Sequence, residues 1–425
     1  MSLQERDSKV IWHPFTQVAT SALPIGITRA EGCWLFAEDG KKYLDATASW
    51  WVNAHGHAHP YIAKRIYEQA QKLEHIIFAG FTHEPAVELA EKLIELLPGN
   101  QSRIFYSDNG STSVEVALKM ALQYFYNTGE RRKKIIAFRN AYHGDTFGAM
   151  AVAERNAFSA PFNDYLFEVE FIDAPESDLV DSESQLLAQL ELGDVAAFIF
   201  EPLVQGANGM RMHSAERLSN MIAECRKHGV ISIADEVFTG FYRTARPFAC
   251  SHLENQPDIM CLSKTLTGGT LPLGVTAAPE FIYEAFISEE KRKTFFHGHS
   301  FTANPISCTA ALASLELLKL DETLANIEEI EIQHQNFLNE VLNHPSVFEA
   351  RHLGCILAIE LKTSKERGYL NPAAAEITQY FLNKEIYLRP LGNVLYVTPP
   401  YTIKKEELQM IYVAILQFLE SYTIN

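Results

Sequence analysis

The chain has no C-x-x-C pair. Its six cysteines, Cys33, Cys225, Cys250, Cys261, Cys308 and Cys355, are widely scattered. That spacing offers no disulfide framework and fits reduced, mostly buried thiols in a cytoplasmic protein. Basic residues are in deficit, 36 Lys and Arg against 53 Asp and Glu, for a formal net charge of −17. This argues against a nucleic-acid partner and against anionic membrane surfaces. No uninterrupted apolar run approaches the roughly 18–20 residues that a membrane helix requires. The N-terminus, Met1-Ser-Leu-Gln-Glu-Arg-Asp-Ser-Lys9, is polar and carries acids, so it does not read as a signal peptide. There is no internal repeat, low-complexity tract or long Pro/Gly/Ser linker.

What is present is an ordinary globular composition, 47% hydrophobic and 21% charged over 425 residues. The length suggests about two or three domains. The middle of the chain alternates between strand and helix. The pattern predicts strands over Ile104–Tyr106, Lys134–Phe138, Val195–Phe200, Val230–Ala234, Ile259–Leu262 and Leu273–Ala277, and helices over Ser113–Tyr126 and Ala215–His228. Several of these strands are nearly continuous apolar runs, as expected where helices cover both faces of a sheet. The fold class is therefore α/β with a mostly parallel sheet. Gly32 to Asp45 reads as a hairpin turning at Glu38-Asp-Gly40. The C-terminal part predicts strands over Ile356–Leu361 and Val394–Thr398 and a helix over Glu406–Ser421. The two chain ends read as one smaller α+β domain, residues 1–55 and 315–425, beside a large domain over 56–314.

Two strands end in residues of complementary chemistry. Asp258-Ile-Met-Cys-Leu-Ser-Lys264 closes on a lysine followed by Thr-Leu-Thr-Gly-Gly269, and Gly229-Val-Ile-Ser-Ile-Ala-Asp235 closes on an aspartate. Open α/β sheets bind ligands beyond the carboxyl ends of their strands. A lysine and an aspartate meeting there suit pyridoxal 5′-phosphate (PLP). The lysine would form a Schiff base, and the aspartate would keep the ring nitrogen protonated so that the ring accepts electrons.

Other segments are weaker taken singly. Gly110 and Ser111 precede a helix in which Thr112-x-x-Glu115 fits a capping box, and free N–H groups there would suit a phosphate. A merely well-capped helix is the commoner case. Tyr142 in Asn140-Ala-Tyr-His-Gly-Asp-Thr146 could stack on a flat ring, or belong to a plain β-to-α turn. Gln205 could donate to a phenolic oxygen, or sit in a surface turn. His55-Gly-His-Ala-His59 and His297-Gly-His-Ser300 have no nearby Cys or carboxylate cluster to complete a ligand set, so no metal site is expected. The hydroxyl and backbone of the second segment could instead reach a phosphate. Trp50 and Trp51 suit either a core or a substrate wall for cations and flat rings. Arg389 could be a solvated arginine or a fork for a carboxylate.

Taken together the chain resembles the class III, fold-type I PLP-dependent aminotransferases over nearly its whole length. The resemblance is carried by Ile11-Trp-His-Pro-Phe-Thr16, Ser49-Trp-Trp51, His83-Glu-Pro-Ala-Val-Glu-Leu-Ala90, Val116 to Tyr124, Tyr142-His-Gly-Asp-Thr-Phe-Gly-Ala-Met150 and Glu201-Pro-Leu-Val-Gln-Gly206. It continues through Gly209-Met-Arg-Met212, Ile233-Ala-Asp-Glu236, Gly240-Phe-Tyr-Arg-Thr244, Lys264-Thr-Leu-Thr-Gly-Gly-Thr270 and Val397-Thr-Pro-Pro-Tyr401. The paired tryptophans, the Tyr142–Met150 run and the Leu-Thr-Gly-Gly-Thr run point, within the family, to the branch that aminates 8-amino-7-oxononanoate to 7,8-diaminononanoate in biotin biosynthesis. The resemblance implies S-adenosyl-L-methionine as amino donor and an obligate homodimer with shared sites. It further implies that Lys264 carries the cofactor and shuttles the proton, and that Asp235 pairs with the ring nitrogen. Gly110 and Ser111 would bind the phosphate, reached from the partner subunit by His299 and Ser300. Tyr142 would stack on the ring. Phe15, Trp50, Trp51, Gly298 and Arg389 would line the substrate site, with Arg389 on the keto-acid carboxylate. Two departures keep lysine or another amine open as donor. Phe15 stands where S-adenosylmethionine users typically carry tyrosine, and His297-Gly-His-Ser300 replaces their His-Gly-Pro-Thr. A non-catalytic small-molecule-binding protein is the rival of another kind, although mere binding needs neither Lys264 nor Asp235.

Overall fold

The computed structural model describes residues 1–424; Asn425, the last residue of the expected small domain, lies outside them. Its centre is a seven-stranded sheet in the order Gln101–Ser107, Gly274–Pro279, Ile259–Leu262, Ile231–Asp235, Val195–Phe200, Lys134–Phe138, Glu170–Ile172. Gly274–Pro279 runs antiparallel to both of its neighbours, and the remaining pairs are parallel. The strands show why their sequences are apolar throughout. Ile135, Ala137, Ile199, Ile233 and Ile259 pack on one face with Val114, Ala117 and Ala121 of the helix Gly110–Thr128. Ile136, Phe138, Phe198, Phe200 and Leu262 pack on the other, within the main core. Side chains alternate faces along a strand, and both faces are covered, so the central strands Val195–Phe200, Ile231–Asp235 and Ile259–Leu262 are buried at every position.

The two chain ends meet in a second sheet. The strands Ile27–Glu31, Trp34–Ala37 and Lys42–Asp45 form an antiparallel meander, and Ile386–Tyr387 adds to Lys42–Asp45 in parallel register, Tyr387 opposite Asp45. The expected hairpin is there, with Gly40 at φ +85° in its turn. A third sheet joins Val347–Leu353, Ile356–Leu361 and Val394–Val397, and the helix Lys405–Ser421 follows. Buried Arg243 ties these parts together by donating to the carbonyls of Pro399 (2.8 Å) and Asn53 (2.9 Å).

One local expectation is corrected. The helix that opens beside Gly110 is capped by Asn109, whose side chain accepts from Thr112 N while the Thr112 hydroxyl accepts from Asn109 N. Glu115 is instead the acceptor for Gly148 N (2.7 Å) and Ala149 N (3.2 Å), at the start of the helix Phe147–Ala151. The helix begins three residues earlier than the Thr-x-x-Glu spacing suggested, and that leaves Glu115 free to hold a different helix terminus.

Candidate active site

The strand Ile259–Leu262 ends inside the protein, and the chain turns sharply into a 3-10 turn, Lys264–Thr267. Ser263 fixes the bend by donating to Leu273 O at 2.7 Å. Lys264 itself takes a left-handed φ of +47°, and Gly269 follows at +78°. A Cβ on Gly269 would fall 2.7 Å from the Val52 carbonyl group, so glycine is what allows this loop to lie against the segment bearing Trp50 and Trp51. The Lys264 Nζ lies 4.7 Å from the Trp51 ring centroid and 5.6 Å from that of Phe238. Burial lowers its pKa to about 8, against the opposing pull of the Asp235 and Glu201 carboxylates.

Asp235 is the last residue of its strand and is buried. One carboxylate oxygen accepts from His143 Nδ1 at 2.7 Å and the other from Val237 N at 3.0 Å. Glu201 ends the neighbouring strand. It accepts from Tyr142 N (3.0 Å) and Gly206 N (2.9 Å), and burial pushes its pKa up to about 7. Burial, with the Asp145 carboxylate adding to it, holds the Tyr142 phenol well above its usual range. Gly144, at φ +126°, lets this loop close onto the helix start, because a Cβ there would sit 2.0 Å from Ser111 Oγ. Ser111 Oγ in turn accepts from Asp145 N at 3.2 Å.

These elements enclose a cavity of about 470 Å³, and Trp51, Gly110, Ser111, Tyr142, Asp235 and Lys264 all line it. The first-turn N–H groups of Gly110 and Ser111 have no intrahelical acceptor, so the cavity has an anion-seeking end. Lys264 and Asp235 line the same cavity. A phosphorylated, ring-nitrogen cofactor matches that set of groups.

The other expected residues lie elsewhere. Gln205 is buried outside the cavity lining, its amide donating to Arg139 O (2.8 Å) and accepting from Asn208 Nδ2 (3.0 Å). Phe15, Trp50 and Arg389 form a group of their own. Phe15 meets Trp50 edge-on at 5.5 Å between centroids, and the Arg389 guanidinium lies 4.5 Å over the Trp50 ring. Gly298, His299 and Ser300 occupy a loop that does not line the cavity, and His299 Nδ1 accepts from Phe301 N there. His55 and His57 take different partners, Ser314 Oγ and Asp45 Oδ2. His143 and Glu201 also line the cavity, and the sequence reading singled out neither. Glu201 could have been found by the rule that singled out Asp235, a carboxylate just past a buried strand. His143 had only its place after Tyr142 to mark it.

The class-III aminotransferase family model matches residues 15–419. An adenosylmethionine-8-amino-7-oxononanoate aminotransferase of Synechococcus elongatus is 49% identical, over 96% of this chain and 98% of its own length. A protein of the same name from Staphylococcus aureus is 38% identical, over 96% and 95%. Among solved structures, that of the Methanocaldococcus jannaschii protein of this name superposes with a TM-score of 0.94 at 33% identity, covering 99% of both chains. A PLP-bound amine transaminase from an uncultivated Pseudomonas species superposes with a TM-score of 0.89 at 28% identity, over 97% and 98%. On matches that run almost end to end, the chain belongs to the class-III aminotransferase family.

Proposed function

We propose that this enzyme moves an amino group from S-adenosyl-L-methionine to 8-amino-7-oxononanoate, giving 7,8-diaminononanoate, with PLP as its cofactor. The observation that carries the reading is the convergence of Lys264, Asp235 and the helix start at Gly110–Ser111 on one cavity. The names of the full-length relatives support the substrates. When bound, PLP supplies an electron sink for the carbon that gives up its proton. The protein does the rest. Gly110 and Ser111 would hold the phosphate through backbone N–H groups, Asp235 would keep a proton on the ring nitrogen, and Tyr142 would lie against the ring. The Lys264 Nζ would anchor the cofactor and serve as the base that takes and returns the substrate proton. Its lowered pKa, about 8, suits a group that must act as a base near neutrality. His299 and Ser300 reach the phosphate from the partner subunit of a homodimer. Their loop misses the cavity of its own chain, and it is flanked by the exposed rings of Phe296 and Phe301. Six buried, unpaired cysteines suit a cytoplasmic enzyme.

Arg389 reads the keto-acid carboxylate from its place over Trp50. Arg389→Ala should weaken the acceptor half-reaction by roughly 2–4 kcal/mol, the scale of removing one partner of a desolvated charged pair. The donor half-reaction should suffer less. Single-turnover rates for each half measure the split, and equal damage to both would assign Arg389 a structural role.

Phe15, Trp50 and Trp51 present aromatic faces suited to adenine and a sulfonium charge. Transamination with S-adenosylmethionine should therefore exceed that with lysine at matched concentration and fixed keto acid. Phe15→Tyr preserves the edge contact with Trp50 and adds a hydroxyl, so KM for the keto acid should fall or hold. Product from lysine but none from S-adenosylmethionine would reassign the donor and leave fold and acceptor standing.

A further inference from the structure

Trp50 and Trp51 sit on unusual backbone. Three residues other than glycine take left-handed φ within four positions, Ala48 (+49°), Ser49 (+62°) and Trp51 (+65°). Ser49, with ψ −82°, lies near the rare γ-turn geometry. Such conformations are unfavourable and persist only where the surroundings over-determine them.

The surroundings here centre on Asp45. Its side chain is fully buried at the end of the strand Lys42–Asp45. Oδ1 accepts from Thr47 N at 3.1 Å. Oδ2 accepts from Ser49 N (2.7 Å), Ser49 Oγ (3.2 Å) and His57 Nε2 (2.9 Å). His57 is pinned at its other nitrogen too, with Nδ1 3.3 Å from Asn53 Nδ2. An amide donor at Nδ1 leaves the ring proton on Nε2, directed at Asp45. The held turn then has two outputs. Trp51 lies 4.7 Å from the Lys264 Nζ, and Trp50 lies 4.5 Å beneath Arg389. Asp45 is also in register with Tyr387, two residues before Arg389.

We infer that Asp45 and His57 are positioning residues that set the spacing between the amine-reacting end of the substrate site, at Lys264, and its carboxylate-reading end, at Arg389; the inference rests on the function proposed above. His57 touches neither end. It acts by holding the carboxylate that holds the turn. A pair serving only to stabilise the hairpin would affect melting without moving substrate affinity.

The test compares His57→Phe, which keeps a ring and loses both nitrogens, with His57→Gln, which keeps an N–H donor. In the holoenzyme, His57→Phe should raise KM for 8-amino-7-oxononanoate about tenfold while kcat stays within about threefold. Its near-UV circular dichroism should change in the tryptophan region, with the far-UV spectrum intact. His57→Gln should recover most of both signals. Wild-type KM and near-UV signal in His57→Phe overturn the inference, as does a lowered Tm with equal loss in both half-reactions that His57→Gln does not repair. Should His57→Phe fail to fold, Ser49→Gly reads the same link, because glycine accepts φ +62° without being held. KM should rise there with Tm unchanged, and a wild-type KM overturns the inference. A wild-type enzyme inactive with this keto acid would strike the functional reading instead, and the near-UV comparison would still decide the positioning role.

Discussion

Lys264→Ala should lose the visible absorbance of the bound cofactor and nearly all turnover, a fall of about a thousandfold or more, as when a covalent catalytic group is removed. The alanine should keep the turn, because it meets the φ of +47° no worse than lysine does and Ser263, Gly268 and Gly269 are unchanged, but it offers nothing that can bond the cofactor. Lys264→Arg should fail as well, since a guanidinium stays protonated and is no nucleophile. The wild-type lysine adds a pH signature. Burial brings its pKa to about 8, so the neutral amine gains population as pH rises through that value. Capture of PLP by the apo-protein should therefore accelerate from pH 7 to pH 9 and level off above. An alanine variant that keeps both the absorbance and the activity would mean that another lysine carries the cofactor. A capture rate flat across that range would remove the buried amine from the rate-determining step.

Much of this site was legible because its logic is one-dimensional. A strand buried on both faces must be apolar throughout, so the residue at which it stops being apolar marks the sheet edge. Asp235 and Lys264 were found that way, and Val195–Phe200, Lys134–Phe138 and Ile259–Leu262 fall where the runs predict. Edge strands of two or three residues, too short to show an apolar run, were not visible. Glu170–Ile172 and Ile386–Tyr387 are defined by the partner they pair with, and only folding supplies it. The helix start was misplaced for a similar reason. Thr112 and Glu115 have the spacing of a cap, but Glu115 accepts from the first turn of the helix Phe147–Ala151 instead. His143 and His57 are contacts at a distance, 92 and 12 residues from the aspartates they serve, and no local pattern announces either pairing. The role expected of the loop at His299 rests on the family resemblance alone, since within one chain the loop does not line the cavity.

Asp235→Asn should retain cofactor yet slow proton abstraction by about a hundredfold or more, the scale on which loss of one preorganised electrostatic group is felt. The geometry separates binding from electronics. In the proposed reading binding would rest on Lys264 and on the helix start at Gly110–Ser111, and neither is touched by the change. Asparagine is nearly isosteric, so its oxygen can still accept from His143 Nδ1 or from Val237 N. What would disappear is the negative charge proposed to keep a proton on the ring nitrogen, and with it the pull that would make the departing proton acidic. Lys264 would then be a competent base with nothing to favour the transfer. The measurement is the single-turnover rate of each half-reaction, with α-deuterated donor to report the proton step. A larger isotope effect with cofactor absorbance retained is the expected pair of results. Near wild-type half-reaction rates would take Asp235 out of the mechanism, and loss of cofactor at ordinary concentrations would make it a binding residue instead.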